Sequence, residues 1–259
     1  MRIALGIEYD GRTFCGWQTQ PARCGVQDAL EAALSVIGGA AITTVCAGRT
    51  DAGVHACWQV VHFDAPNLRP GSAWTRGVNA LLPAGVAVLW AIDVPDGFHA
   101  RFGAVERHYR YVLVCRRQRL GLEHGRAGWW HGALDVDAMR VAACTLVGEH
   151  DFSAFRAADC QAKSPIRNLV RADIHVSGSV VRFDFGANAF LQHMVRNLVG
   201  ALVYVGAARR DPAWIATVLA GRDRARAAPT FMADGLYLTG VKYSADTGLA
   251  AGPDPSVLP

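Results

Sequence analysis

Residues 2–9 place Ile3, Leu5, Ile7 and Tyr9 at alternating positions, the period of a strand with one face on a core. After a polar and aromatic loop, GRTFCGWQTQP, the apolar positions change period. Val26, Leu30, Ala33, Leu34 and Ile37 line one side of a helix, and Gly38-Gly39 stops it. Strands at 42–47 and 57–63 follow, then a helix carrying Trp74, Val78 and Leu81, with Ser72 as its N-cap and Pro83 past its end. A strand at 86–93 completes a β-α-β-β-α-β order, the split βαβ arrangement of ferredoxin-like domains.

The rest of the chain repeats that order loosely. A strand at 107–114, a helix at 135–147, and two strands at 170–176 and 180–185 joined by Ser177-Gly178-Ser179 lead to a long helix at 190–206. A shorter helix opens with Asp211 as N-cap and Pro212 at its first position, and a strand at 236–243 closes the set. The fold class is therefore α+β, with two ferredoxin-like halves at 1–104 and 105–243. Three prolines and two glycines make 244–259 a flexible tail.

Composition sharpens this picture only in part. With 259 residues and 51% hydrophobic content, each half can bury a core. Of 26 basic residues, 24 are arginine, whose planar fork suits phosphate and stacks on bases. A genome rich in arginine codons gives the same excess, so clustering carries more weight. Between His99 and Arg126 lie seven arginines, three histidines and two acids, Glu106 and Glu123. Such a run lines a cleft for a polyanion, or equally guards a strand edge. Seven dispersed cysteines without a Cys-x-x-Cys pair argue for reduced thiols in a cytoplasmic protein and against a zinc site. Glu8 and Asp10 interrupt any N-terminal leader, and no apolar run approaches membrane-spanning length, so no membrane partner is expected.

One acid stands apart, Asp51 in CAGRTDAGVHA at 46–56, near the tip of a loop between two strands. Turn chemistry alone accounts for an Asp-x-Gly triplet, because Asp bonds its own backbone and Gly53 supplies positive φ. Arg49 adds to that reading. In extended backbone it points the same way as Asp51, so a guanidinium can hold the carboxylate ionised and aimed, as an oxygen nucleophile requires.

CAGRTDAGVHA resembles the catalytic loop of the tRNA pseudouridine synthase I (TruA) family. ALGIEYDGRTFCGWQTQ, FHARFGAVERHYRY, NAFLQHMVRNLVGAL and DGLYL resemble further segments of that family in the same order, over about residues 2–243. The resemblance implies mainly antiparallel sheets facing a central cleft, with Asp51 as catalytic nucleophile and Arg49 bracing the space left by a flipped base. It further implies Tyr109 as a substrate-contacting tyrosine, Arg196 as the partner of Asp51 across the cleft, and Leu236 as an apolar wall. The implied activity is isomerisation of uridine to pseudouridine at positions 38, 39 and 40 of the tRNA anticodon stem-loop, by a homodimer without metal or organic cofactor. Phe231, Met232 and Asp234 depart from the family, which shows a smaller run ending in Glu there.

The residues taken unaided leave rivals. A uridine isomerase needs one ionised acid, because the departing uracil stays and is rejoined through C5, whereas a retaining glycosidase needs two carboxylates. A non-catalytic RNA-binding module or tRNA-folding chaperone explains the basic run and Tyr109 without requiring Asp51. An aspartyl phosphotransferase would want a second acid beside Asp51 for a metal ion, and the loop offers none.

Overall fold

The alternating stretch at the start of the chain forms β1 (Arg2–Tyr9), whose Ile3, Leu5 and Ile7 are at most 1% exposed in the computed structural model. After β1, α1 (Val26–Gly38) ends where Gly39 turns left-handed and returns its amide to the Ser35 carbonyl. β2 is only Val45–Cys46, shorter than expected. Glu31 of α1 draws the Thr44 amide and hydroxyl to its carboxylate, at 2.7 and 3.0 Å, so Thr44 leaves the ladder. β3 (His55–Asp64) and β4 (Val86–Val94) flank β1 and run antiparallel to it, and β2 pairs with the far end of β3. The resulting order, β4-β1-β3-β2, is the ferredoxin-like one.

The helix expected after Ser72 widens into a π turn, Ala73–Gly77, and Ser72 is itself helical rather than a cap. The Thr75 hydroxyl bonds back to the Gly71 carbonyl at 3.3 Å, and the wide turn seats buried Trp74 edge-on to Phe63, with ring centres 5.0 Å apart.

β5 (Ala104–Cys115) begins the second ferredoxin-like set. β6 (Gly128–Trp130) runs parallel to its end. α2 (Val136–Cys144) is capped by Asp135, which accepts the Ala138 amide at 2.9 Å. β7 (Gly148–Asp151), β8 (Ile166–Ser177) and β9 (Val180–Ala187) add to β5 in the order β5-β9-β8-β7, all antiparallel. α3 (Met194–Gly206) starts four residues later than expected, because His193 is left-handed at φ 61°. The side of α3 that carries Gly200 is covered. The Pro229 carbonyl lies 2.5 Å from where a Cβ on Gly200 would stand, so only glycine admits the 229–231 strap. α4 (Trp214–Gly221) is opened as expected by Asp211, whose carboxylate accepts the Trp214 amide at 3.1 Å. The chain closes on β10 (Leu236–Tyr243), which runs parallel to the start of β3.

Residues 1–247 and Leu249 are described. They fall into two compact units, Met1–Glu106 with the chain from Tyr237, and Arg107–Leu236. The strand expected to close the second half thus groups with the first unit, because β10 pairs with β3. Beyond 247 the expected flexible tail lies outside the described residues, Leu249 excepted. Among the described residues no helix is long and apolar enough to cross a membrane.

Cys15 and Cys24 form a disulfide, against the expectation of seven reduced thiols. Counting spacings misses it because the loop doubles back. The Cys15 amide donates to the Cys24 carbonyl at 2.9 Å, which brings the Cα atoms to 5.4 Å.

Two predictions follow from this framework. Reducing the disulfide, or replacing both cysteines by serine, should cost about 2–3 kcal/mol of unfolding free energy for so short a loop, measured by urea titration with and without dithiothreitol. The second concerns His62, whose Nδ1 accepts the Ala100 amide at 3.1 Å. Burial, then Arg2 and His99, push its pKa down to about 4 from 6.5. His99 is lowered too, by burial and Arg2. The unfolded chain therefore binds more protons between the two values, so stability is lost as pH falls from about 6.5 towards 4. Unfolding titrations at pH 7 and pH 5 should show the loss, and His62→Gln should flatten it.

Candidate active site

The loop between β2 and β3 is pinned on both sides of Asp51. On its N-terminal side, buried Thr50 shares a hydrogen bond of 2.7 Å with the Tyr9 hydroxyl, and its carbonyl accepts the Trp17 amide at 3.0 Å. Gly16, at φ 96°, makes that approach possible, since a Cβ there would stand 2.8 Å from the Thr50 carbonyl oxygen. On the C-terminal side the Asp51 carbonyl accepts the Val54 amide at 3.1 Å across a turn in which Gly53 has the expected positive φ, 79°. Fully buried Gln59 ties the base of the loop, accepting from the Gly48 amide at 3.4 Å and donating to its carbonyl at 2.6 Å. Asp51 itself is half-buried.

Beside this loop, buried His55 stacks on Tyr237 at 4.6 Å, and its Nδ1 accepts the Gly11 amide at 3.1 Å. Asp10 lies 3.3 Å from the same nitrogen, and the Arg12 guanidinium on it holds its carboxyl below the usual carboxylate range. Arg49 is exposed, and its charge opposes the burial that pushes the Cys46 thiol up to about 12.

Three other predicted site residues lie in the second unit. Tyr109, on β5, is 8% exposed and meets Phe190 edge-on at 5.0 Å. Arg196, on α3, donates from Nε to the Phe231 carbonyl at 2.9 Å, and the Phe231 amide returns a bond of 3.3 Å to the Arg196 carbonyl. Leu236 is buried, its amide bonded to the Ala233 carbonyl at 2.8 Å. Arg196 lies close enough to Tyr111 to act on it, and the Tyr111 hydroxyl donates to the Met232 carbonyl at 3.1 Å. Burial and then Asp234 raise its pKa well above normal, while Arg196 opposes the shift. The unusual residues Phe231 and Met232 thus contribute backbone carbonyls that fix Arg196 and Tyr111. The structure sets Arg49 and Asp51 on one loop of the first unit and the other three within the second.

The basic run is not uniformly open to a polyanion. Arg110 is buried against Asp184, Nε to Oδ1 2.8 Å, and Arg182 reaches the same carboxylate at 3.1 Å. Arg107 donates to the Asn188 carbonyl at 2.8 Å. Sequence reasoning missed Tyr9, Trp17, Thr50 and Gln59 as supports of the loop. The first two stand in the segment ALGIEYDGRTFCGWQTQ, so the signal was present without its geometry.

The tRNA pseudouridine synthase family model matches residues 6–103 and 142–244. The tRNA pseudouridine synthase A of Thiobacillus denitrificans is 61% identical over 95% of this chain and 94% of its own length. The enzymes of the same name from Dechloromonas aromatica and Nitrosomonas eutropha are 57% and 58% identical, covering 99% and 95% of this chain and 97% and 88% of their own. The fold is a mixed one with mainly antiparallel strands, and the chain belongs to the tRNA pseudouridine synthase family.

Because Tyr9 holds Thr50, the residue next to Asp51, Tyr9→Phe should lower kcat by about tenfold while KM changes less than about twofold, as expected where the loop positions a group that acts in the reaction. Thr50→Ser, which keeps the hydroxyl, should retain most of the rate. Steady-state assays on unmodified tRNA check both, and a wild-type kcat for Tyr9→Phe would show that this hydrogen bond does not position Asp51.

Proposed function

We propose that this chain is a cytoplasmic, homodimeric synthase that converts uridine to pseudouridine at positions 38, 39 and 40 of the tRNA anticodon stem-loop, with Asp51 as its catalytic nucleophile. The observation that carries the reading is the clamped loop. Buried Tyr9, Thr50 and Gln59 hold a half-buried carboxylate on a turn with little freedom. A reacting group held this way loses little entropy on the path to the transition state.

In the reaction, the target uridine leaves the base stack, at a cost of a few kcal/mol. The Asp51 carboxylate adds covalently to the nucleoside and the N1–C1′ bond breaks. The uracil turns, a C5–C1′ bond forms, the carboxylate departs, and the proton lost from C5 is balanced by one gained at N1. Neither water nor an external acceptor is consumed, so a dry, apolar surrounding suffices. Arg49 braces the space the base leaves, and Tyr109, Arg196 and Leu236 bind the substrate. The Arg196 charge favours the ionised form of a nearby acid.

Asp51→Asn should abolish pseudouridine formation on unmodified tRNA, read as cyclohexyl-carbodiimide-labelled product, yet leave tRNA affinity within about tenfold, or about 1.4 kcal/mol. Product at the wild-type rate would overturn the role of Asp51. Modification outside the anticodon arm would overturn the assigned positions.

A further inference from the structure

The second unit carries a surface on which guanidinium groups and aromatic rings alternate, made by residues other than those of the candidate active site. The Arg209 guanidinium lies over the rings of Trp130 and Tyr204, at 5.3 and 5.1 Å, and that of Arg210 lies over Trp214 at 5.6 Å. Tyr204 and Trp214 stack on each other at 6.4 Å, their planes 19° apart. The rings come from the end of β6, the last turn of α3 and the start of α4, while the two arginines sit in the turn between the helices. Both arginines are exposed and the rings are half-buried.

Among the described residues no carboxylate forms an ion pair with Arg209 or Arg210. The nearest acid in sequence, Asp211, is turned to the Trp214 amide, and among the described residues the one hydrogen bond from either guanidinium runs from Arg210 Nη1 to the Arg209 carbonyl at 3.1 Å. Cation–π stacking holds a guanidinium flat against a ring while leaving its N–H edge unused. A second basic segment adjoins the same rings. The Arg116 amide donates to the Trp130 carbonyl at 3.0 Å and its carbonyl accepts the Trp129 indole N–H at 2.8 Å, so exposed Arg117 and Arg119 begin one residue away.

We infer that this Arg209–Arg210 surface is an RNA-binding face, taking phosphates on the two guanidinium edges and unpaired bases against the flanks of Trp130 and Trp214. RNA alternates anionic groups with flat rings, which matches fixed cations set between flat rings. An acidic protein segment would answer only the charges. The inference rests on the substrate being RNA and is independent of the role of Asp51, since it concerns affinity and not chemistry.

The test is the double variant Arg209→Gln with Arg210→Gln, titrated with unmodified tRNA between about 50 and 200 mM KCl. Affinity should fall by roughly 10- to 30-fold, and the slope of log K against log salt should become shallower by about 1.5, the loss of two phosphate contacts. kcat at saturating tRNA should stay at the wild-type value. A folded variant with wild-type affinity and slope overturns the inference. So does one that keeps wild-type affinity per site but sediments as a smaller species, which assigns the surface to a protein partner. If the double variant does not fold, Arg210→Gln alone should give about half the slope change, and an unchanged slope overturns the inference equally.

Discussion

The hydrogen bond between the Tyr9 and Thr50 hydroxyls is the constraint on which the reading of this molecule depends. It is buried, so removing either hydroxyl gives up a bond that bulk water does not replace. It joins the first strand of the sheet to the residue just before Asp51, so the sheet itself sets where that carboxylate stands. Trp17 adds a second tie to the same residue, from a loop closed by a disulfide and by the Cys15 amide. Local turn chemistry alone would leave an Asp-x-Gly tip free to move. The sheet and its loops convert that tip into a fixed element.

Arginine is used in three physically distinct ways, and the composition shows none of them. Arg110 is buried against Asp184, where its charge is neutralised. Arg196 turns one donor to a backbone carbonyl, which orients the side chain. Arg209 and Arg210 lie on aromatic rings and keep their donors. A count of 24 arginines signals affinity for anions, but only the last of these arrangements presents that affinity outward without a competing acid.

The periodic parts of the fold were legible. β1, α1 and β10 lie where alternation and helical spacing put them, and the Asp135 and Asp211 caps act as their residue types suggest. What the pattern missed was decided by distant partners. Glu31 shortens β2, a left-handed His193 delays α3, a π turn seats Trp74 against Phe63, and pairing with β3 takes the final strand into the first unit. The disulfide escaped because cysteine spacing says nothing about a loop that folds back. At the site, the loop could be read from the motif, but the buried residues that pin it, Tyr9, Thr50 and Gln59, could not.

Gly200 has a reach out of proportion to its size. The Pro229 carbonyl occupies the volume a methyl group would need, and from that point the strap runs on to the Phe231 and Met232 carbonyls that hold Arg196 and Tyr111. Helix and strap therefore form one mechanical part, seated by a missing carbon atom. Any larger residue at that seam would displace the strap and with it the carbonyls that hold the arginine and the tyrosine.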